Sequence, residues 1–270
     1  MADSNEKSAS EERTRKFVEK GAKWSAGAVG GAAGGAVGWL ATGDPGSAAT
    51  GAVIGGALSG FVRTSLANVL EDVSNRFLSS REEQRVSLAS YHILSNIYER
   101  LLRGERPRDD EFFDRGPGGG DRSPAEELFE GALIKCKNAY QEKKIRHLES
   151  IIANTVFRPD VTRAAANALL NIADRLTYRQ MCLLAIVSRA SELAIDQDSF
   201  RFKLQSSQYV GEHAAFMKQE LADLGQNGFF DENRGSATAY LSAIGRLAAE
   251  LMGLNEIPIE DLREVRANLP

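Results

Sequence analysis

The stretch Trp24–Val62, WSAGAVGGAAGGAVGWLATGDPGSAATGAVIGGALSGFV, holds 12 of the chain's 25 glycines. It carries no charge from Trp24 to Gly43 and none from Gly46 to Val62, with Asp44 and Pro45 between. Each uncharged arm is near the roughly 20 residues that a helix needs to cross a hydrocarbon core of about 30 Å. Gly43-Asp44-Pro45-Gly46 is turn chemistry, because glycine reaches positive φ and proline ends the preceding helix. The pattern predicts a helical hairpin.

Glycine spacing sharpens that expectation. Gly27, Gly31 and Gly35 form one four-residue series, and Gly30, Gly34 and Gly38 form a second. The second arm repeats the spacing with Gly51/Gly55 and Gly56/Gly60. At this interval the glycines share a helix face on which two backbones can approach closely. In water each would cost about 1 kcal/mol relative to alanine. Lipid, by forbidding unpaired backbone groups, would hold such a helix. Trp24, Trp39 and Phe61 lie toward the arm ends, at the level of an aromatic belt. Lys16, Lys20 and Lys23 precede the first arm and Arg63 follows the second, so the positive-inside rule places both ends in the cytoplasm. Two readings stay beside the membrane hairpin: a soluble Gly/Ala linker and a soluble glycine-zipper interface.

Outward from the hairpin, residues 1–23 mix acids and bases without a Leu-rich run, so they read as a retained polar leader rather than a secretory signal. The chain has 270 residues, 43% apolar and 26% charged, which excludes disorder throughout. Net charge is −4, so no global pull toward nucleic acid is visible. Cys136 and Cys182 are too few for a disulfide scaffold or a four-thiolate site.

From Arg63 onward, helical periodicity dominates. Leu66, Leu70, Val73 and Phe77, then Leu88, Tyr91, Ile97 and Leu101, predict amphipathic helices over 63–103, with a capping box at Ser80–Glu83. Residues 104–123 are dense in Gly, Pro and charge and read as a linker anchored by Phe112 and Phe113. Ser123-Pro124-Ala125-Glu126 is a second capping box, opening a helix expected to run to Pro159. Asp160 is the expected cap of the next helix, which is alanine-rich. Thr177-Tyr178-Arg179-Gln180 is a third box, opening a helix apolar almost all round that should sit at a domain centre.

The order that follows is an amphipathic helix from Glu212 to Leu224, then Gly225, Gly228-Phe229-Phe230 and a polar turn. A short strand over 237–242 and a helix from Gly245 to Met252 complete it. Over Thr177–Leu254 this resembles the end of a winged-helix module. Its groove-facing helix would hold Glu212, Glu220 and Asp223 against Lys218, a charge pattern that argues against DNA and for protein contact or plain structural use. The organisation expected is a polar leader (1–23), a glycine-zipper hairpin (24–62), amphipathic helices (63–103), a linker (104–123), a helical domain with a winged-helix-like end (124–255) and a tail (256–270). The fold class is all-α.

Catalytic signatures are absent from the sequence. His92, His147 and His213 lie in no metal-ligand spacing, and the N-terminal glycines lack the Gly-Lys-Ser/Thr ending of a phosphate loop. The expectation is a non-enzymatic chain with no catalytic residue, metal or cofactor. The segments YQEKKIRHLESIIAN (140–154) and ADRLTYRQMCLLAIVSRA (173–190) resemble helical proteins of bacterial abortive infection, the alpha-type family. That resemblance implies an anti-phage effector that permeabilises the inner membrane when triggered, with lipid bilayer, further copies of itself and a sensor or activator protein as partners. The alternative is a membrane-anchored adaptor or regulator whose winged-helix-like domain binds protein or DNA.

Overall fold

The computed structural model describes residues 2–24, 57–76, 78–116, 122–193, 212–230 and 241–267. Among these residues the chain is all-helical and divides into two units, 1–170 and 171–270. The hairpin arms from Ser25 to Gly56, the turn at 43–46 and the expected strand up to Tyr240 lie outside the described residues. Among the described residues no helix is long and apolar enough to cross a membrane.

In the first unit the helices are α1 (Ala2–Trp24), α2 (Ala57–Ser74), α3 (Ser80–Leu102), α4 (Pro124–Asn138) and α5 (Ile145–Thr155). The helix α6 (Arg163–Arg175) carries the chain across the division at 170/171. The centre is α3, whose Val86, Ile93, Leu94, Ile97 and Leu101 are all buried and which packs on α1, α4 and α5. Its capping box is set one residue earlier than Ser80: Ser79 is extended, accepts from the Glu82 N–H and receives the Glu82 carboxylate on its own N–H at 2.9 Å. Gly104, with φ of +80°, closes the end, where a side chain would be strained.

Ser123 and Glu126 form the expected reciprocal cap with Pro124 at the first turn. The helix does not run to Pro159. It stops at Asn138, Ala139 turns extended, and a 3-10 turn at Glu142–Lys144 leads into α5. The break has a packing reason. Leu128, Phe129 and Leu133 of α4 and Leu148, Ile151 and Ile152 of α5 are all buried, and both helices face α3 as well as each other. A straight continuation would carry the second set past the core.

Asp160 is not the cap of α6. It is held in a two-point ion pair by Arg158, at 2.8 and 2.7 Å, and the Thr162 hydroxyl accepts from the Ala165 N–H instead. The 104–116 part of the stretch read as a linker is packed, with Pro107, Arg108, Phe112 and Phe113 buried. Arg108 donates to the Val161 carbonyl at 2.8 Å, pairs with Asp110 and lies over the Phe112 ring. The leader is likewise no loose tail. Residues 2–24 are helical, and Thr14, Phe17, Val18 and Gly21, at helical spacing, are buried where α1 packs on α3 and α2.

The second unit is built around α7 (Tyr178–Ser188), in which every residue from Gln180 to Val187 is buried. Thr177 and Gln180 form the expected capping box. Around it pack α8 (Glu212–Gln226), α9 (Ala243–Leu251) and α10 (Ile259–Ala267). The helix α10 replaces most of the expected tail. Its Leu262 is buried, and the Tyr178 hydroxyl donates to Asp261 at 2.6 Å, burial and that carboxylate pushing the phenol's pKa up. Of the expected wing, the described residues hold one isolated antiparallel bridge, Phe230 with Leu241.

Candidate functional site at the root of the glycine segment

The glycine segment is flanked by α1 on its N-terminal side and α2 on its C-terminal side. Both helices belong to the first unit and pack on each other. On α2, Val62, Ser65, Leu66, Val69, Leu70 and Val73 face inward, the i, i+3, i+4, i+7 stripe of an amphipathic helix. The opposite side begins with Gly60 and Phe61. Phe61 is 50% exposed, and a Cβ placed on Gly60 would meet nothing within 4 Å. Of the glycines singled out by their spacing, only Gly60 lies within the described residues. Gly27, Gly30, Gly31, Gly34, Gly35, Gly38, Gly51, Gly55 and Gly56 lie outside them.

The close backbone approach in this unit belongs to Gly21. A Cβ there would sit 2.0 Å from the Ser87 carbonyl oxygen and 2.5 Å from its carbon, so α1 lies against the α3 backbone where only a hydrogen fits. Lys20 reaches Glu83 on α3 at 2.6 Å in an exposed ion pair. On the outer side, Lys16 pairs with Glu12 and Arg15 with Glu19 at four-residue spacing. Phe17 and Val18 supply the apolar part of the seam, each contributing on the order of 1.5–3 kcal/mol when fully buried. The signal for Gly21 was present in the sequence, since Thr14, Phe17, Val18 and Gly21 repeat at i, i+3, i+4 and i+7. Eleven charges over residues 1–23 hid it.

Polar ties brace the same unit. The Glu126 carboxylate is buried and accepts from Arg115 at 2.6 Å, from Asn68 on α2 at 2.7 Å and from the Ser123 N–H at 2.9 Å. Burial alone would raise its pKa, but the hydrogen bonds from Arg115, Asn68 and Ser123 outweigh it and hold the carboxyl below the ordinary range. A neighbouring cleft of about 180 Å³ is lined by Asn68, Asp72, Arg115 and Arg122, with Arg122 paired to Asp72 and Glu130. These charges satisfy one another, so the cleft is a brace between α2 and α4. On the far side of α3, His92 Nδ1 lies 2.8 Å from Glu149 of α5. Burial would lower the imidazole pKa, and the Glu149 hydrogen bond and charge together leave it raised. His147 is buried, as are the free thiols of Cys136 and Cys182. Among the described residues no group of His, Cys, Asp and Glu could hold a metal ion. His213 stands in α8, and its side chain lies outside the described residues.

Chemically, the arrangement ties and positions helices. No family model, curated protein or solved structure matches the chain.

Proposed function

We propose that this chain is the membrane-permeabilising effector of a bacterial anti-phage, abortive-infection system, oligomerising through glycine-zipper helices under the control of its cytosolic helical domain. In this reading residues 24–62 form a hairpin in the inner membrane with both termini in the cytoplasm. The observation that supports it most is the packing of α1 on α2. The chain leaves that helix pair at Trp24 and rejoins it at Ala57, so both ends of the glycine segment are rooted in helices of one unit. A hairpin of two arms joined by the Gly43–Gly46 turn would leave and return in this way.

Glycine faces at four-residue spacing let arms of several copies pack closely in lipid, where backbone groups must bond within their own helix. In this reading the face would continue to Gly60, where a Cβ would meet nothing within 4 Å, with the exposed ring of Phe61 beside it. The winged-helix-like end over Thr177–Leu254 serves protein contact, for a sensor or activator, since Glu220 and Asp223 on α8 oppose the phosphate contacts DNA would need.

Induced expression in bacteria tests this. The chain is expected in the membrane fraction, and cells are expected to depolarise within one division time, read with a voltage-sensitive dye. Replacing Gly31 and Gly35 together with Leu is expected to abolish both depolarisation and killing. Membrane localisation without depolarisation would favour the adaptor reading. Recovery of all the protein in the supernatant, in resting and phage-challenged cells alike, would overturn the hairpin.

A further inference from the structure

The link between α4 and α5 turns a tyrosine out of the fold. Ala139 and Gln141 are extended, so successive side chains point to opposite sides, and Ala139 is buried. Tyr140 therefore faces solvent. It is 76% exposed, the most of any large apolar side chain among the described residues. Ile134, one turn before the end of α4, is 40% exposed.

Basic residues surround this pair. Residues 134–146 hold Lys135, Lys137, Lys143, Lys144 and Arg146 against one acid, Glu142, in a chain whose net charge is −4. Lys144 is buried, whereas Lys143 and Arg146 are exposed. The first turns of α3 add Arg81 and Arg85, which reach Glu142 at 3.3 and 3.6 Å and so cover the one acid of the link. Arg85 also donates to the Lys137 carbonyl at 3.4 Å, and the Lys137 ammonium lies 3.7 Å from Glu82. The link and the start of α3 thus form one face, on which both acids are engaged and positive charge is in excess. The same turns of α3 receive the end of α1. Lys20 pairs there with Glu83 at 2.6 Å, and Gly21, three residues before Trp24, lies against Ser87. The basic face is therefore beside the helix end from which the chain enters its uncharged stretch.

From this arrangement we propose that the α4–α5 link and the first turns of α3 form a docking face for an anionic lipid surface. Lys135, Lys137, Lys143 and Arg146 meet the lipid phosphates. Tyr140 and Ile134 enter the headgroup layer, where a ring with a polar tip is favoured. Nucleic acid fits less well. Arg81 and Arg85, whose guanidinium groups suit phosphate best, are engaged by Glu142, and Ile134 offers a base no stacking plane. The choice of a bilayer rests on the permeabilising reading. The face adds to it a contact made by the folded unit itself, outside residues 24–62.

The test uses the full chain with Asn138→Cys, exposed at the end of α4, carrying an environment-sensitive dye, since the native thiols are buried. Vesicles are phosphatidylcholine alone or mixed with phosphatidylglycerol. On the anionic vesicles the dye is expected to shift to the blue and to be quenched by spin-labelled lipid, and on neutral ones to do neither. Lys137→Gln with Lys143→Gln is expected to raise the vesicle concentration at half-shift at least about tenfold, and added salt to act in the same direction. Tyr140→Ser is expected to raise it severalfold. A silent dye while the chain sediments with anionic vesicles overturns the docking face and leaves the permeabilising reading intact. An equal shift on neutral vesicles, or variants that shift like the parent, does the same. A shift with an RNA duplex and none with vesicles assigns the face to nucleic acid and overturns the lipid contact. A full shift on anionic vesicles without release of trapped solute keeps the face and overturns the permeabilising reading. Neither sedimentation nor shift overturns both.

Discussion

Gly21 in the first unit and Gly245 in the second occupy the same kind of place. A Cβ at Gly21 would lie 2.0 Å from the Ser87 carbonyl oxygen, and one at Gly245 would lie 2.2 Å from the Phe229 carbonyl oxygen. The surroundings differ. Gly245 is in the first turn of α9, where its N–H donates to the Ser242 hydroxyl at 2.9 Å. Ser242 in turn donates its hydroxyl to Gly228 at 2.5 Å and its N–H to Phe229 at 2.9 Å. Phe229 is fully buried, and Gly228 holds a φ of +75° that a side chain would strain. Beside Gly21 the described side-chain ties are the exposed Lys20–Glu83 pair and the Ser87 hydroxyl's bond to the Gln84 carbonyl. The ties around a close contact therefore decide what an added methyl costs, which is most where its neighbours are held by several bonds.

Gly245→Ala is the largest break expected from this difference. The added methyl meets a carbonyl that Ser242 also uses, so neither neighbour can yield without losing a hydrogen bond. A loss of about 3 kcal/mol or more in the second unit is expected, in the range reserved for backbone clashes and broken buried networks. Equilibrium urea unfolding, followed by exchange of the α7 and α9 amides, reads it. A loss below about 1 kcal/mol would mean that the turn adapts freely despite its bonds, and the distinction between the two glycines would fall.

Acid should separate the two units in direction. Glu126 has a depressed pKa, so its contribution is present above the carboxylate's ordinary 4.5 and is lost as pH falls through its folded value. Glu220, on α8 beside Arg179 at 3.1 Å, is raised by burial first and by Asp223, with Arg179 opposing. Its protonated form is the one the fold favours, so its contribution is complete below 4.5 and fades as pH rises through its higher folded value. Acidification from pH 6 toward 3 is therefore expected to tighten α8 first and, below 4.5, to loosen the α2–α4 brace. Exchange rates for α2 and α8 measured across that range should move oppositely. Parallel loosening would show that Glu220 is not held protonated by its burial. His92 titrates above this window. Its raised pKa makes the α3–α5 contact strongest below 6.5 and weaker as pH climbs through the folded value.

What could be read in advance was local. The caps at Ser123 and Thr177 need only residues three apart, and the central place of α7 needs only an apolar run, so both were visible in the sequence. The end of α4 at Asn138 was not, because only the shared core with α3 makes a straight continuation unfavourable. The helix α10 carries one buried large residue, Leu262, and so shows no stripe to recognise. Asp160 resembled a cap by composition but was already engaged by Arg158. The candidate site divides in the same way. A glycine series is visible as spacing, whereas the meaning of Gly21 lies in a carbonyl 66 residues away. A glycine that matters for contact is identified by what faces it, and no local pattern contains that.

Gly60 supplies the finest test, because it inverts the sign. It lies on an exposed side of α2 with open space where a side chain would go, so nothing described in this chain uses its smallness. Gly60→Ala is therefore expected to stabilise the first unit by about 0.5–1 kcal/mol, the helix-propensity gain that Gly21→Ala and Gly245→Ala forfeit to clashes. Thermal unfolding in water measures it. The bulkier Gly60→Leu is expected to be equally well tolerated in water yet to slow vesicle leakage, since in the proposed assembly a second backbone needs that face. Stability and activity would then move in opposite directions at one residue. If Gly60→Leu leaks dye at the wild-type rate, the glycine face ends before α2, and packing between copies is confined to the segment preceding Ala57.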